Sequence, residues 1–216
     1  MRITGGRWAG RQLITPKGPR LRPTQDRVRQ ALFNVLGSAV EGARVLELYA
    51  GSGALGLEAL SRGAAHVTFV DRSGFCVRAI RENLEKLNQI PRYGRDDIGG
   101  YARDDVGGPA REDVRGPARV DVRVVRGDVL AVLTKLAARG GRFDLVLLDP
   151  PYGPAAARKT LIALTGCAIL CESGWVVAES DKRDPLPPML EGTQGRLKLQ
   201  RTETYGDTVL AFYQRQ

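Results

Sequence analysis

The sequence predicts an α/β fold with a mostly parallel, seven-stranded sheet, helices on both faces, an antiparallel C-terminal hairpin and a small N-terminal β-hairpin extension. Three observations support this prediction. Short apolar strand patterns alternate with amphipathic helix patterns from residue 44 onward. A glycine-rich turn follows the first of these strands. Two strand patterns joined by a tight turn end the chain.

Residues 1–37 are predicted to form the N-terminal extension, and residues 38–216 the main domain. The opening RITGGRWAGRQL has three glycines between short strand-like pieces, which is typical of a small hairpin. LRPTQDRVRQALFNVLG then predicts a helix that Thr24 caps and Gly37 ends. The apolar residues expected on one face of this helix are Val28, Leu32, Val35 and Leu36.

The main domain alternates strand and helix patterns and ends in two consecutive strands. The last two strands are joined at Gly206-Asp207, a pair that favours a two-residue hairpin turn. The predicted helices are ALGLEALSRG, GFCVRAIRENLEKLN, VLAVLTKLAARG and ARKTLIALTGCAIL. The predicted strands are RVLELYAG, HVTFVD, VRVVRGD, FDLVLLD, GWVVAES, LKLQRTETY and TVLAFYQ.

Residues 93–124 form an internal repeat of four octads, YGRDDIGG, YARDDVGG, PAREDVRG and PARVDVRV. Six arginines and seven acids give the repeat a net charge of −1, so it is not a second basic patch. Glycine, proline and charged residues dominate, which predicts a largely disordered or loosely ordered insertion before the third strand. A loop that binds a partner or RNA is the alternative.

The net charge of +9 is concentrated at the N-terminus. Residues 1–36 contain eight basic residues and one acid, Asp26, and so contribute +7. Such a basic arm suits a polyanionic partner, because Lys and Arg release counterions when they contact phosphates. A solubilising surface is the alternative. The basic residues are Arg2, Arg7, Arg11, Lys17, Arg20, Arg22, Arg27 and Arg29.

The composition gives little support for a zinc site or for a set of disulfide bonds. Cys76, Cys167 and Cys171 form neither a CxxC pair nor an even set, and His66 is the single histidine. Cys167 and Cys171 would share one face of a helix as small buried hydrophobes. A reducing, cytoplasmic setting is expected. The sequence shows neither an apolar run of about 20 residues nor a signal-peptide pattern.

The stretch ELYAGSGALG predicts a nucleotide-binding turn between the first strand and the first helix. Gly51, Gly53 and Gly56 match GxGxxG, and Asp71 follows Gly51 by twenty residues, at the end of the second strand. Glycines let the backbone approach a ligand, and the acid accepts hydrogen bonds from ribose hydroxyls. NAD and S-adenosylmethionine both present such a ribose, so this motif does not choose between them.

Two acids favour S-adenosylmethionine. Glu47 precedes the glycines by four residues, where it can face the methionine end of a ligand rather than a pyrophosphate. Asp128 follows the third strand, where it can meet the adenine amino group.

The stretch LVLLDPPYG gives a buried strand that ends in an acid, two prolines and an aromatic residue. An aromatic amine is a poor nucleophile, because its lone pair is delocalised into the ring. Acceptors for both N–H bonds would direct that lone pair toward a methyl donor, and the Asp149 carboxylate and Pro150 carbonyl can be these acceptors. Pro150 and Pro151 stiffen the turn, and Tyr152 offers a stacking face for an extruded base. An ordinary turn with a buried aromatic residue is the alternative.

The sequence resembles the RsmD family, the bacterial 16S rRNA guanine-N2 methyltransferases. The resemblance rests on RITGGRWAGRQL, LRPTQDRVRQALFNVL, VLELYAGSGALGLEALSRGA and FDLVLLDPPYG, and covers nearly the whole chain apart from the octads. RPTQDRVRQALFN is its most specific part. It implies a Rossmann-like, class I S-adenosylmethionine-dependent methyltransferase that acts without metal on one guanine of 16S rRNA, within a 30S particle or an assembly intermediate. A monomer is expected.

The resemblance also assigns residues. Asp149, Pro150 and Tyr152 would contact the target amine and base. Thr24 and Arg27 would lie near the mouth of the site, with Arg2, Arg7, Arg11 and Arg22 as further RNA contacts. The cofactor contacts would be Glu47, Ala50, Gly51, Gly53, Asp71, Arg72, Asp128 and Val129.

Three other functions stay open. An adenine-N6 DNA methyltransferase would use the same chemistry on another base, although the basic arm suits phosphates and RNA shape better than base-edge readout. A dehydrogenase that binds NAD through GxGxxG leaves the DPPY stretch unexplained. An RNA-binding assembly factor with a vestigial site would not need the glycines, Asp71 and Asp149 together.

Overall fold

A computed structural model describes residues 1–15, 26–87, 121–151 and 154–216. Several sequence predictions lie outside these residues: the Thr24 helix cap, Arg22 and Tyr152 as contacts, and the octads as far as residue 120. The helices are α1 (Asp26–Leu36), α2 (Ala54–Ser61), α3 (Gly74–Lys86), α4 (Val129–Ala138) and α5 (Pro154–Thr165). The strands are β1 (Arg44–Leu48), β2 (His66–Asp71), β3 (Asp121–Arg126), β4 (Phe143–Leu148), β5 (Leu170–Asp181), β6 (Met189–Gly192), β7 (Gly195–Tyr205) and β8 (Thr208–Arg215).

One sheet contains all eight of these strands, in the order β3-β2-β1-β4-β5-β8-β7-β6. The first five pair in parallel, and β8, β7 and β6 pair antiparallel, as the α/β prediction requires. Successive residues of β4 face opposite sides of the sheet: Leu145 and Leu147 pack in one core cluster, and Val146 and Leu148 in the other. Residues of α1, α2 and α3 line the first cluster, and residues of α4 and α5 the second.

The strand count and one helix differ from the prediction. The eighth strand is β6, a short segment in which Leu190 alone is buried, so it has no apolar alternation to detect. The fourth predicted helix begins earlier than its pattern suggested, because Pro154 opens α5 and Thr165 ends it. Cys167 therefore lies after the helix and Cys171 lies in β5, not together on one helical face.

Within the N-terminal extension, residues 1–15 form a loop closed by an antiparallel bridge between Arg2 and Gln12, with a 3₁₀ turn at Gly6–Trp8. This is less regular than the predicted hairpin. Gly6 has a φ of +74°, and a Cβ there would lie 1.9 Å from the Ser61 carbonyl oxygen. Glycine is thus required where this loop packs against the last turn of α2.

A buried ionic network ties the extension and α1 to α2. The Glu58 carboxylate is inaccessible to solvent, and it accepts hydrogen bonds from Thr4 N–H and Oγ1 (both 2.8 Å), Arg29 Nε (3.2 Å) and Arg62 Nε (2.9 Å). Arg29 is also fully buried and donates to the Arg2 carbonyl and to Asp26 Oδ1. Arg29 is therefore not part of the exposed basic surface that the charge count suggested.

The third strand begins with a buried contact at the amino edge of the sheet. The His66 ring is held between Asp121 Oδ2 (2.9 Å from Nδ1) and Thr68 Oγ1 (2.7 Å from Nε2). His66 is paired with Asp121 in the β2–β3 register. The end of the last octad thus enters the sheet as β3, as its sequence predicted.

Replacing Arg29 with Met should destabilise the protein by about 3–5 kcal/mol, because the Glu58 charge would lose its fully buried cationic partner and keep only Arg62 and Thr4. The exposed Arg27, two residues earlier on α1, provides the matched control. Arg27→Met should change the free energy of unfolding by about 0.5 kcal/mol or less. Urea unfolding of the three proteins measures both values. Equal losses for the two variants would contradict the structural importance of this ion pair.

Candidate active site

The candidate residues meet at the carboxyl edge of the sheet. Leu48 at the end of β1 pairs with Val70 of β2 on one side and with Leu148 of β4 on the other. The turn after β1 therefore lies between Asp71 and Asp149, with neighbouring strands about 4.8 Å apart. β1 is also the point at which the strand order reverses, which is where open α/β sheets bind ligands.

The glycine turn has an unusual backbone. Gly51 and Gly53 have φ angles of +55° and +75°. Tyr49, which is not a glycine, also has a positive φ, of +59°. A bulky residue with positive φ is uncommon and must be held by its surroundings. A 2.8 Å hydrogen bond between the Tyr49 hydroxyl and Thr160 Oγ1 anchors its side chain to α5. Sequence reasoning missed both residues: Tyr49 lies within the glycine motif but is not one of its defining positions, and Thr160 lies in no motif.

The three glycines serve different purposes. A Cβ on Gly51 would meet only the Tyr49 carbonyl, at 3.9 Å, so the backbone here is open to a ligand. A Cβ on Gly53 would lie 3.0 Å from Ile80 Cγ1, and one on Gly56 would lie 2.4 Å from Phe69 Cε1. Gly56 is therefore needed for close packing of α2 on β2.

Glu47 lies beneath the glycine turn and is buried, with 3% of its surface exposed. Its two carboxyl oxygens accept hydrogen bonds from the backbone N–H groups of Leu55 (3.3 Å) and Gly56 (2.9 Å), in the first turn of α2. Burial, with a smaller contribution from the charges of Asp149 and Asp71, raises the pKa of Glu47 to about 8, and the two backbone hydrogen bonds act in the opposite direction. Glu47 is predicted to contact the cofactor, and both of its carboxyl oxygens are bonded to the first turn of α2.

Asp71 lies next to the turn, as the twenty-residue spacing predicted. Its Oδ2 accepts the N–H of Gly51 and its Oδ1 accepts the N–H of Ser73, both at 2.8 Å. The side chain is partly exposed and can face a ligand over Gly51. The predicted neighbour Arg72 is exposed.

Asp128 follows β3 at the same edge and is exposed. It caps α4, because its Oδ1 accepts the N–H groups of Leu130 (3.0 Å) and Ala131 (3.2 Å). Val129 and Ala50, two further predicted cofactor contacts, are buried beside it and beside the glycine turn, with 4% and 5% of their surfaces exposed.

Asp149 and Pro150 follow β4 directly and are half-buried at the carboxyl edge. Leu148, which precedes Asp149, pairs with Leu48 at the end of β1, so Asp149 follows β4 next to the start of the glycine turn. The structure therefore brings Glu47, Asp71 and Asp149 together as three carboxyl groups around one turn.

The basic arm is only partly at this edge. Arg2, Arg7, Arg11 and Arg27 are exposed, and Arg7 stacks over the Trp8 ring at 4.1 Å. The loop that carries Arg7 docks on Ser61, in the last turn of α2, through the Trp8 N–H (2.9 Å). That helix has eight residues, so Ser61 lies about 12 Å from the glycine turn.

One further residue missed by sequence reasoning joins the arm to the glycine turn. Asn83 on α3 is fully buried, and its side chain hydrogen-bonds to the backbone of Ile14 and of Ser52. Its signal in the sequence is a polar side chain on the apolar face of an amphipathic helix, beside Ile80 and Leu84.

The described residues contain no group of three or more His, Cys, Asp or Glu side chains that could hold a metal ion. Within the same part of the chain, no helix is both long and apolar enough to cross a membrane.

The fold and this edge of the sheet define the class of S-adenosylmethionine-dependent methyltransferases. The fold is shared with the Thermus thermophilus 16S rRNA N2 G1207 methyltransferase, solved with AdoMet and guanosine, at a TM-score of 0.59 and 19% identity over 92% of this chain and 44% of that one. An Escherichia coli methyltransferase candidate, YhhF, matches 100% of this chain and 98% of its own, with a TM-score of 0.74 and 28% identity.

The chain belongs to the family described as Conserved hypothetical protein 95, whose model matches residues 1–104 and 111–214. The Ribosomal RNA small subunit methyltransferase D of Escherichia coli (strain K12) is 32% identical over 216 residues, which is 100% of this chain and 90% of that protein. The resemblance to the RsmD family is thereby confirmed.

The raised pKa of Glu47 predicts a pH dependence of stability. The folded state keeps a proton that the unfolded state releases above about pH 4.5, so this contribution is full below that pH and is lost as the pH rises through about 8. Glu47→Gln removes the titration, and its free energy of unfolding should therefore fall less between those two pH values than that of the wild type.

Urea unfolding at several pH values measures the difference. The exposed Glu85, replaced by Gln, is the control and should keep the wild-type pH dependence. Parallel curves for wild type and Glu47→Gln would show that Glu47 is ionised in the folded protein throughout.

Proposed function

We propose that the protein transfers a methyl group from S-adenosylmethionine to the exocyclic N2 of a guanine in 16S rRNA. The observation that carries this proposal is the position of Asp149 and Pro150, directly across the glycine turn from Asp71. Family membership and the name of the Escherichia coli relative support rRNA as the substrate.

The residues of the turn fit S-adenosylmethionine. The open backbone at Gly51 admits a ligand, Asp71 can accept hydrogen bonds from the ribose, and Asp128 can accept one from the adenine amine. The carboxylates of Asp71 and Asp149 beside the turn favour a cation, and the sulfonium and ammonium groups of this cofactor are cations.

The same geometry disfavours NAD. A dinucleotide places its pyrophosphate on the free N–H groups at the start of the helix after the glycine turn. In this protein Glu47 occupies the N–H groups of Leu55 and Gly56, in the first turn of α2. A pyrophosphate would meet a carboxyl group in place of these donors.

S-adenosylmethionine supplies an electrophilic methyl group when it is bound. The Asp149 carboxylate and the Pro150 carbonyl accept the two N–H bonds of the guanine amine, so that its lone pair faces the cofactor. Pro150 and Pro151 have no N–H and keep the turn stiff. The amine becomes acidic once methylated, and its proton passes to Asp149 or to water. Tyr152 provides the stacking face for the base.

We divide the chain into an extension, residues 1–37, and a methyltransferase domain, residues 38–216. The extension binds the RNA. Arg2, Arg7, Arg11 and Arg27 expose guanidinium groups that suit phosphates. Arg22 and Thr24 complete the proposed contact set. The enzyme acts as a monomer in the cytoplasm, on a 30S particle or an assembly intermediate.

The test uses 30S subunits from cells that lack the gene. After incubation with the protein and S-adenosylmethionine, mass spectrometry of the digested nucleosides should show N2-methylguanosine in the 16S rRNA. Genomic DNA treated in parallel should gain no N6-methyladenosine. The opposite result would identify an adenine-N6 DNA methyltransferase.

Asp149→Ala should lower turnover about 100-fold or more, because one of the two acceptors for the amine is lost. The affinity for S-adenosylhomocysteine, measured by calorimetry, should change by less than about threefold, a small free-energy difference. Glu172→Ala, at an exposed position of β5, is the control and should keep wild-type turnover. Undiminished turnover of Asp149→Ala would refute its assigned function.

A further inference from the structure

We propose that Asn83 is a positioning residue that couples the basic arm to the cofactor turn, so that S-adenosylmethionine and RNA strengthen each other's binding. The inference rests on the proposed function, since it takes RNA as the ligand of the arm.

The contacts of Asn83 join three separate parts of the chain. Its Oδ1 accepts the Ile14 N–H at 2.7 Å, and its Nδ2 donates to the Ile14 carbonyl at 3.0 Å. Nδ2 also donates to the carbonyl of Ser52, between Gly51 and Gly53, at 3.1 Å. One side chain on α3 thus holds the end of the described arm and the middle of the glycine turn.

Because Asn83 is buried, breaking any of these hydrogen bonds is costly. The residue is wholly inaccessible to solvent, so water cannot replace a broken hydrogen bond. The side-chain nitrogen of Asn83 donates its two hydrogens to two carbonyl groups, and these two bonds fix the orientation of the amide. A shift of the glycine turn therefore moves or strains the bond to Ser52, and with it the pair of bonds to Ile14.

The other anchors of the arm have a different purpose. Glu58 holds Thr4, and Ser61 holds Gly5 and Trp8, all toward the later turns of α2. They fix the arm to the protein at a distance from the cofactor. Asn83 contacts the arm just before residues 16–25, which lead to α1 and contain the proposed contacts Arg22 and Thr24.

The consequence is a reciprocal coupling. A cofactor that orders Gly51, Ser52 and Gly53 also orders Ile14, and thereby the arm that binds RNA. By thermodynamic linkage, RNA that fixes the arm must raise the affinity for the cofactor by the same factor. The enzyme would then retain RNA best while its methyl donor site is filled.

The first measurement is made without RNA. Hydrogen exchange of the peptide that contains Leu13, Ile14 and Thr15 is followed with and without S-adenosylhomocysteine. The wild type should exchange these amides several-fold more slowly with the ligand present. Asn83→Asp keeps the acceptor for the Ile14 N–H but replaces the donor to the two carbonyls, and should lose the effect.

The second measurement is the dissociation constant for 30S subunits from cells that lack the gene, with and without saturating S-adenosylhomocysteine. The wild-type ratio should be about fivefold or more, within the usual range of coupling. In Asn83→Asp the ratio should approach one. The control is Gln200→Glu at an exposed position of β7, which makes the same amide-to-carboxylate change outside the proposed binding residues and should keep the wild-type ratio.

A second variant covers the case in which Asn83→Asp does not fold. Ile14→Pro removes the N–H that Asn83 accepts but keeps the Ile14 carbonyl and the Ser52 contact, so one of the two bonds to Ile14 is lost and the ratio should fall toward one. A uniform loss of RNA affinity with the ratio unchanged would make Asn83 a structural residue only and overturn the proposal. So would a wild-type ratio of one, or unchanged exchange at Ile14.

These results separate the two proposals. A wild type that methylates 16S rRNA but shows no coupling refutes the inference alone. A wild type that slows exchange at Ile14 but neither binds nor methylates 30S subunits refutes the proposed function, and the RNA part of the coupling with it.

Discussion

The arrangement of the protein depends on the burial of one carboxylate, Glu58. A charge without access to water must be surrounded by donors, and this one receives four hydrogen bonds, from Thr4, Arg29 and Arg62. Those donors come from the N-terminal loop, from α1 and from the residue that follows α2. The condition that Glu58 be satisfied therefore fixes residues 1–15 and α1 against α2.

The candidate active site follows a similar logic. Glu47 is placed under the glycine turn, where its carboxyl group occupies N–H groups at the start of α2 that would otherwise suit an anion. The carboxylates of Asp71 and Asp149 lie beside this turn and give its surroundings a negative charge. The strained conformation of Tyr49 is held by Thr160, so the turn is also tied to the helix that follows the proposed catalytic stretch.

The sequence predicted the parts of this structure that are encoded locally. The glycine turn, Asp71 and Asp149 could be placed because parallel strands align their carboxyl ends, and each motif follows a strong apolar strand. Contacts between distant residues could not be predicted. Arg29 reads as one more surface charge until its partner 29 residues away is known, and Asn83 lies 69 residues from Ile14. β6 was missed because its four residues carry no alternation.

The octad segment joins the fold where α3 ends and β3 begins, and the contact of Asp121 with His66 fixes its return. Parallel strands start at the edge opposite to the one where Asp71 and Asp149 lie, so β3 begins on the far side of the sheet from the candidate site. The same junction is a natural place to graft an affinity tag or a fluorescent reporter.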